Sequence, residues 1–180
     1  MILVALIAII IPARSAEIYQ EAAVKAAFLY RFTGYVEWPT ASIPVDHFTI
    51  AVLGSKPVLS ELERVVAGRT IKDRPASVRS VASVRQALDA QLIYVGSDFD
   101  GDLKGAVNAL AGKPILVVAD DLNGLDAGAV LSFVTIDRRV RFDISLPAAQ
   151  QANLKISSEL LGVAASVRGT AKADAEPSSR

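Results

Sequence analysis

Hydrophobic and polar positions recur along this chain on two different periods, and each change of period marks an element. Glu17 to Phe32 is apolar almost all round. Ala22, Ala23, Val24, Ala26, Ala27, Phe28, Leu29, Tyr30 and Phe32 leave only Lys25 and Arg31 charged in its second half. That spacing predicts a helix ending near Gly34, covered on more than one side, either by deep burial or by a partner on its second face. Short apolar runs follow, separated by helical stretches. Phe48 to Leu53 (FTIAVL), Leu92 to Val95 (LIYV) and Ile115 to Ala119 (ILVVA) read as strands that stop at Gly54, Gly96 and Asp120. Pro57 to Val66 and Leu103 to Leu110 read as helices, the first with proline in its opening turn. Ser77 to Val81 and Val84 to Leu88 read as a shorter strand and helix. Strands alternating with helices in this order predict βαβ units around a parallel sheet.

Beyond Asp120 the pattern changes. Val130 to Ile136 is strand-like, Asp137-Arg138 is a turn, and Val140 to Leu146 is a second strand. In it Val140, Phe142, Ile144 and Leu146 alternate with Arg139, Arg141, Asp143 and Ser145, so one row packs and the polar row faces solvent or a partner. Ile156, Leu160, Ala164 and Val167 form one stripe of a closing helix over Ser157 to Val167. The expected fold is an α/β single-domain sandwich: a mostly parallel central sheet, a C-terminal antiparallel hairpin and flanking helices.

The two ends differ from this body. Residues 1 to 12 (MILVALIAIIIP) carry no charged or polar side chain and are too short to span a bilayer, which takes about 18 apolar residues or more. With Ala13-Arg14-Ser15-Ala16 behind them they match the apolar region and A-x-S cleavage pattern of a signal peptide. No Lys or Arg precedes the run, so the alternatives are a true start further upstream or a buried first strand. The division expected is a signal peptide at 1–16, an α/β domain at 17–169 and a disordered tail at 170–180, where AKADAEPSSR shows no apolar period. The mature chain is then periplasmic, with no direct membrane insertion.

Composition removes several classes of function. Nineteen basic residues balance nineteen acidic ones, which argues against a nucleic-acid partner. The absence of cysteine excludes disulfide scaffolds, thiolate metal sites and thiol catalysis. The one histidine, His47 beside Asp46, reads as a turn residue. Asp98, Asp100 and Asp102 alternate as in a calcium loop, but Gly101 falls too early and Ala109 stands where the bidentate acid belongs. Asp120, Asp121, Asn123 and Asp126 fail the same spacing. Gly54-Ser55-Lys56-Pro57 sits where a strand feeds a helix yet matches no phosphate-binding motif. Arg64, Arg69, Lys72, Arg74, Arg79 and Arg85 are interleaved with acids and read as a solvated face. No catalytic constellation, metal site or cofactor motif stands out.

Several segments taken together resemble the YfiR family of exported proteins. They are VKAAFLYRFTGYVEWP at Val24 to Pro39, FTIAVLG at Phe48 to Gly54, GRTIKDRP at Gly68 to Pro75, LIYVGSD at Leu92 to Asp98, PILVVAD at Pro114 to Asp120, and VRFDISLPAAQQANLKISSELLGVA at Val140 to Ala164. The first and last are the specific ones. The resemblance implies a periplasmic regulator without catalytic activity, a homodimer that inhibits a membrane-bound diguanylate cyclase through the cyclase's periplasmic sensor region. The family's characterised members use disulfides tied to redox control. Here Ala90 stands where the family often has Cys, so that route is closed.

Two readings of function follow. As a binding module, the chain would contact its partner through Tyr35, Glu37 and Trp38, through Arg139, Arg141 and Asp143 of the polar row, and through Lys155 and Glu159. Trp38, the only tryptophan, reads slightly better as a core residue than as an interface anchor. As a small-molecule receptor or carrier, it would use Gly54, Ser55, Gly96, Ser97 and Asp120 at the strand ends, lining a crevice beside the sheet.

Overall fold

The computed structural model describes residues 13–169, with side chains from Glu17 onward. The expected leader and tail therefore lie outside the described residues, apart from Ala13 to Ala16, which already belong to the first helix. In chain order the elements are α1 (Ala13–Tyr35), β1 (Val36–Glu37), β2 (Phe48–Leu53), α2 (Lys56–Val66), β3 (Thr70–Ile71), β4 (Arg74–Ser80), β5 (Leu92–Val95), α3 (Leu103–Asn108), β6 (Leu116–Ala119), β7 (Leu131–Ile136), β8 (Arg139–Ser145), α4 (Leu146–Gln151), β9 (Lys155–Ile156), α5 (Ser158–Val163) and β10 (Ser166–Arg168). Short 3-10 turns at Thr40–Ser42 and Val84–Ala87 complete the connections.

Eight strands form one mixed, mostly parallel sheet in the order β10-β8-β7-β6-β5-β2-β4-β3. The pairs β2–β4, β2–β5, β5–β6, β6–β7 and β8–β10 are parallel, and the β7–β8 hairpin and the β3–β4 turn are antiparallel. The hairpin turn sits at Asp137-Arg138, both left-handed with φ of 49° and 59°, the geometry that suits the strands' twist. The chain enters at β2 and crosses to β4 on one side, then returns to β5 on the other. Above β2 and β5, therefore, successive connections run off in opposite directions, and a crevice opens between them.

The period-2 alternation of the strands divides the core into two layers. Ile50, Val52, Leu92, Tyr94, Leu116 and Val118 face α1, α2, α4 and α5, while Ala51, Leu53, Ile93, Val95, Val117 and Ala119 face α3 and the 84–87 turn. Both faces are covered, which is why these strands read as unbroken apolar runs. The first helix buries Ala22, Ala26, Leu29 and Phe32, the larger two contributing on the order of 2 kcal/mol each. Phe28 supplies its second face. It stacks on Phe32 and meets Phe133 and Phe142 of the hairpin at 6.1 and 5.5 Å. α2, the sheet and the hairpin thus together provide the cover that the helix's composition demands, although Ile18, Tyr19, Val24 and Tyr35 remain exposed.

The expected closing helix needs correction. The closing helix stops at Val163, and Ser166–Arg168 pair in parallel with Asp143–Ser145 as β10. The helical stripe ending at Val167 was a weak local signal, overridden by the open ladder groups of β8. For the same reason β8 is not wholly an edge strand, since its C-terminal half lies between β7 and β10. The ribbon of β1 and β9, with Val36 opposite Ile156 and Glu37 opposite Lys155, had no detectable period in strands so short.

Candidate functional sites

The five strand-end residues come together. Gly54 and Ser55 follow β2, Gly96 and Ser97 follow β5, and Asp120 follows β6, all at the C-terminal edge of the parallel strands. The two glycines serve the backbone. Gly96 N–H donates to Leu53 C=O at 2.7 Å and Asp98 N–H to Gly54 C=O at 3.1 Å, so the two loops are hydrogen-bonded. A Cβ on Gly96 would collide with the Gly54 carbonyl, and one on Gly54, at φ +71°, with the backbone of Phe99. Ser55 is the N-cap of α2, its hydroxyl accepting from Val58 N–H at 3.4 Å. Ser97 is exposed at the rim.

Asp120 holds the floor. Its carboxylate accepts from Lys25 Nζ at 2.8 and 2.6 Å and from the Tyr94 hydroxyl at 2.7 Å. Lys25 also pairs with Glu21 one helical turn earlier, at 2.5 Å. The Lys25 and Asp120 side chains are 10% and 12% exposed, whereas Glu21 is 45% exposed and faces water. Burial, and next the Asp120 carboxylate, push the Tyr94 phenol far above its ordinary value, so Tyr94 is a fixed neutral donor. Above this floor a crevice of about 220 Å³ is walled by Ile18 and Ala22 of α1, Pro57 and Val58 of α2, and Ser97 and Asp98. Lys25, Tyr94 and Glu21 were missed as site residues. One signal was present: a lone lysine amid an apolar helical run needs a buried counter-ion.

The residues expected at a partner interface fall into two groups. Tyr35 ends α1, 43% exposed, and its carbonyl accepts from Ser157 N–H at 2.9 Å. Glu37 and Lys155 are exposed and directly opposed across the β1–β9 ribbon. Glu159 lies in the first turn of α5, where a backbone N–H and the Ser157 hydroxyl hold its carboxyl below the usual range. Trp38 is a correction. It is 7% exposed, donates its indole N–H to Gln91 C=O at 3.1 Å and meets Phe48 edge-on at 5.2 Å, so it belongs to the core and offers no contact surface.

Arg139, Arg141 and Asp143 lie on β8, Arg139 and Arg141 exposed and Asp143 half-buried with β10 alongside. Arg141 donates to Val163 C=O at 3.4 Å, so α5 carries Glu159 at its start and meets Arg141 at its end. His47 is half-exposed in a turn, its Nδ1 3.1 Å from Asp46. Among the described residues, no three His, Asp or Glu side chains converge in a way that would hold a metal.

A mixed, mostly parallel sheet covered on both faces, with a crevice above its central strand ends and a charged hairpin at one edge, defines a protein of the α/β class. The chain belongs to the YfiR/HmsC-like family (DUF4154), whose model matches residues 22–165. No curated protein matches it in sequence. Among solved structures it is similar to a conserved domain protein from Vibrio cholerae O1 biovar El Tor, with TM-score 0.53 and 12% identity over 82% of this chain and 60% of that one. It is also similar to the ABC domain in complex with L-Trp from Streptococcus pneumonia, with TM-score 0.54 and 15% identity over the same shares of the two chains. At such identities the likeness concerns the fold alone, and this chain spans less than two thirds of either structure.

Proposed function

We propose that this protein is an exported, non-catalytic regulator that docks on the periplasmic sensor region of a membrane-bound diguanylate cyclase and holds the enzyme inactive, lowering cyclic di-GMP. Family membership across residues 22–165 carries the reading. To inhibit, the protein must bind the inactive cyclase more tightly than the active one, since equal affinity shifts nothing. Tyr35, Glu37, Lys155 and Glu159 at one corner, and Arg139, Arg141 and Asp143 along β8, are the contacts we assign, in a protein that acts as a homodimer. Among the described residues no helix is long and apolar enough to cross a membrane. Without cysteine, relief of inhibition uses something other than thiol oxidation.

The test is cellular cyclic di-GMP in a deletion strain. A rise reversed by a copy carrying residues 1–16, and not by a copy lacking them, is the expected result. Unchanged cyclic di-GMP would overturn the reading.

A second reading, a small-molecule receptor, draws on the crevice of about 220 Å³ and its Lys25–Asp120–Tyr94 floor. One fold neighbour was solved in complex with L-Trp. A thermal shift on adding periplasmic small molecules, abolished in Asp120→Asn, would support it.

A further inference from the structure

The edge of the sheet at β8 has a step in it. β10 pairs only with Asp143–Ser145, although β8 begins at Arg139. Ser145 N–H donates to Val130 C=O at 2.8 Å, so the odd-numbered residues of β8 turn their backbone groups toward β7. The even-numbered ones turn outward, as the bond from Ala165 N–H to Phe142 C=O at 2.8 Å shows. Val140 N–H, Val140 C=O and Phe142 N–H therefore face out, with no hydrogen-bond partner among the described residues. We propose that this step receives an extended acidic segment of the partner protein by strand addition. The proposal deepens the regulator reading and rests on it.

Charge selects the occupant. Arg138, Arg139 and Arg141 surround the step, and none has an ion-pair partner among the described residues. The nearby acids are Asp137 in the turn, Asp143 further along the row, and Glu17 and Glu21 on α1. An open space of about 500 Å³ beside Ile136, Arg139, Arg141 and Ala165 leaves room for side chains on the arginine face. On the opposite face a second space of about 500 Å³ lies between Val140 and the Val24 and Phe28 side chains of α1, with Glu17, Glu21, Arg138 and Arg139 also lining it. An added strand should thus carry acids toward Arg139 and Arg141 and apolar residues toward Val140, Val24 and Phe28, in strict alternation. A second copy of β8 fits poorly. Antiparallel self-pairing about Val140 would set Arg139 directly against Arg141 of the copy.

The test uses capped peptides of roughly eight residues, an ordinary strand length, alternating valine with glutamate or valine with lysine. Each is titrated into the full chain while amide hydrogen exchange is followed. The glutamate peptide should bind at least about tenfold more tightly than the lysine peptide and slow exchange at Val140 and Phe142. Val140→Pro removes an outward donor at an edge position where proline is tolerated, and should weaken binding more than about tenfold. Should that variant not fold, Arg139→Glu/Arg141→Glu, at two exposed positions, should reverse the preference toward the lysine peptide. Equal affinity for both peptides, slowed exchange elsewhere, or undiminished binding in both variants would overturn the proposal. So would self-association that protects Val140. Full repression of cyclic di-GMP by Arg139→Glu/Arg141→Glu would overturn the edge site and keep the cyclase reading. Peptide binding without any effect of the chain on cyclic di-GMP would do the reverse.

Discussion

Lys25→Met probes the buried ion pair directly. Methionine keeps most of the stem's volume and a helix propensity close to that of lysine, so the packing of α1 changes little. The ammonium alone is lost, at 2.8 and 2.6 Å from the Asp120 oxygens. Asp120, 12% exposed, then retains only the Tyr94 hydroxyl at 2.7 Å. Removing one partner of a fully buried pair costs about 3–5 kcal/mol. The crevice admits water to Asp120, which lowers the expected cost to about 2–3 kcal/mol. In a domain of this size that is a fall in Tm of roughly 5–10 °C. Urea unfolding followed by the fluorescence of Trp38, the only tryptophan and a buried one, supplies the assay. Asp120→Asn alone should cost about 1–2 kcal/mol, and the double variant should fall short of the sum by at least about 1 kcal/mol. Additivity within about 0.5 kcal/mol would refute the coupling, as would a Lys25→Met variant as stable as the parent.

Three further outcomes follow from the same structure. Because the Tyr94 phenol is raised above its ordinary value, the folded state holds a proton that the unfolded chain releases. Stability is therefore whole below about pH 10 and falls as the pH climbs above it. Urea midpoints between about pH 8 and 11 check this, and Tyr94→Phe should flatten the decline while costing about 1–2 kcal/mol at neutral pH. Trp38→Phe loses the indole bond to Gln91 and about 1–2 kcal/mol, yet should repress cyclic di-GMP as the parent does; a stable variant that fails to repress would return Trp38 to the interface. Gly96→Ala should destabilise by about 2 kcal/mol or more through collision with Gly54, whereas Gly34→Ala, in open space near the end of α1, should stabilise by about 0.5 kcal/mol; thermal melts separate the two.

Legibility in the sequence tracked burial and length. Phe48–Leu53 and Leu92–Val95 could be read residue for residue, because continuous apolar runs closed by glycine have few other interpretations. The strand-end residues Gly54, Ser55, Gly96, Ser97 and Asp120 could be grouped from the order of elements alone, since parallel βαβ units bring all such ends to one edge. Lys25 could not be added to them. It lies 95 residues from Asp120, and nothing local encodes that pairing. β1, β9 and β10 escaped for a related reason, being two or three residues long and existing as strands only through distant partners. For Trp38, between Glu37 and Pro39, the sequence allowed both a core and an interface role, and the bond to Gln91 and the contact with Phe48 decide for the core.

The ribbon that joins Val36 to Ile156 and Glu37 to Lys155 also bears on how the chain acquires its shape. Together with Phe28 and Phe32 against Phe133 and Phe142, it ties the first helix to elements made last. During synthesis α1 can pack on α2 early, but Phe28, Phe32 and Val36 lack their full cover until the hairpin and β9 have emerged, so completing the fold waits for a nearly complete chain, and such distant closures are slow. Shortening the C-terminal third should therefore leave an unfolded polypeptide rather than a smaller domain. Under the proposed export, the same delay would keep the chain extended for threading across a membrane.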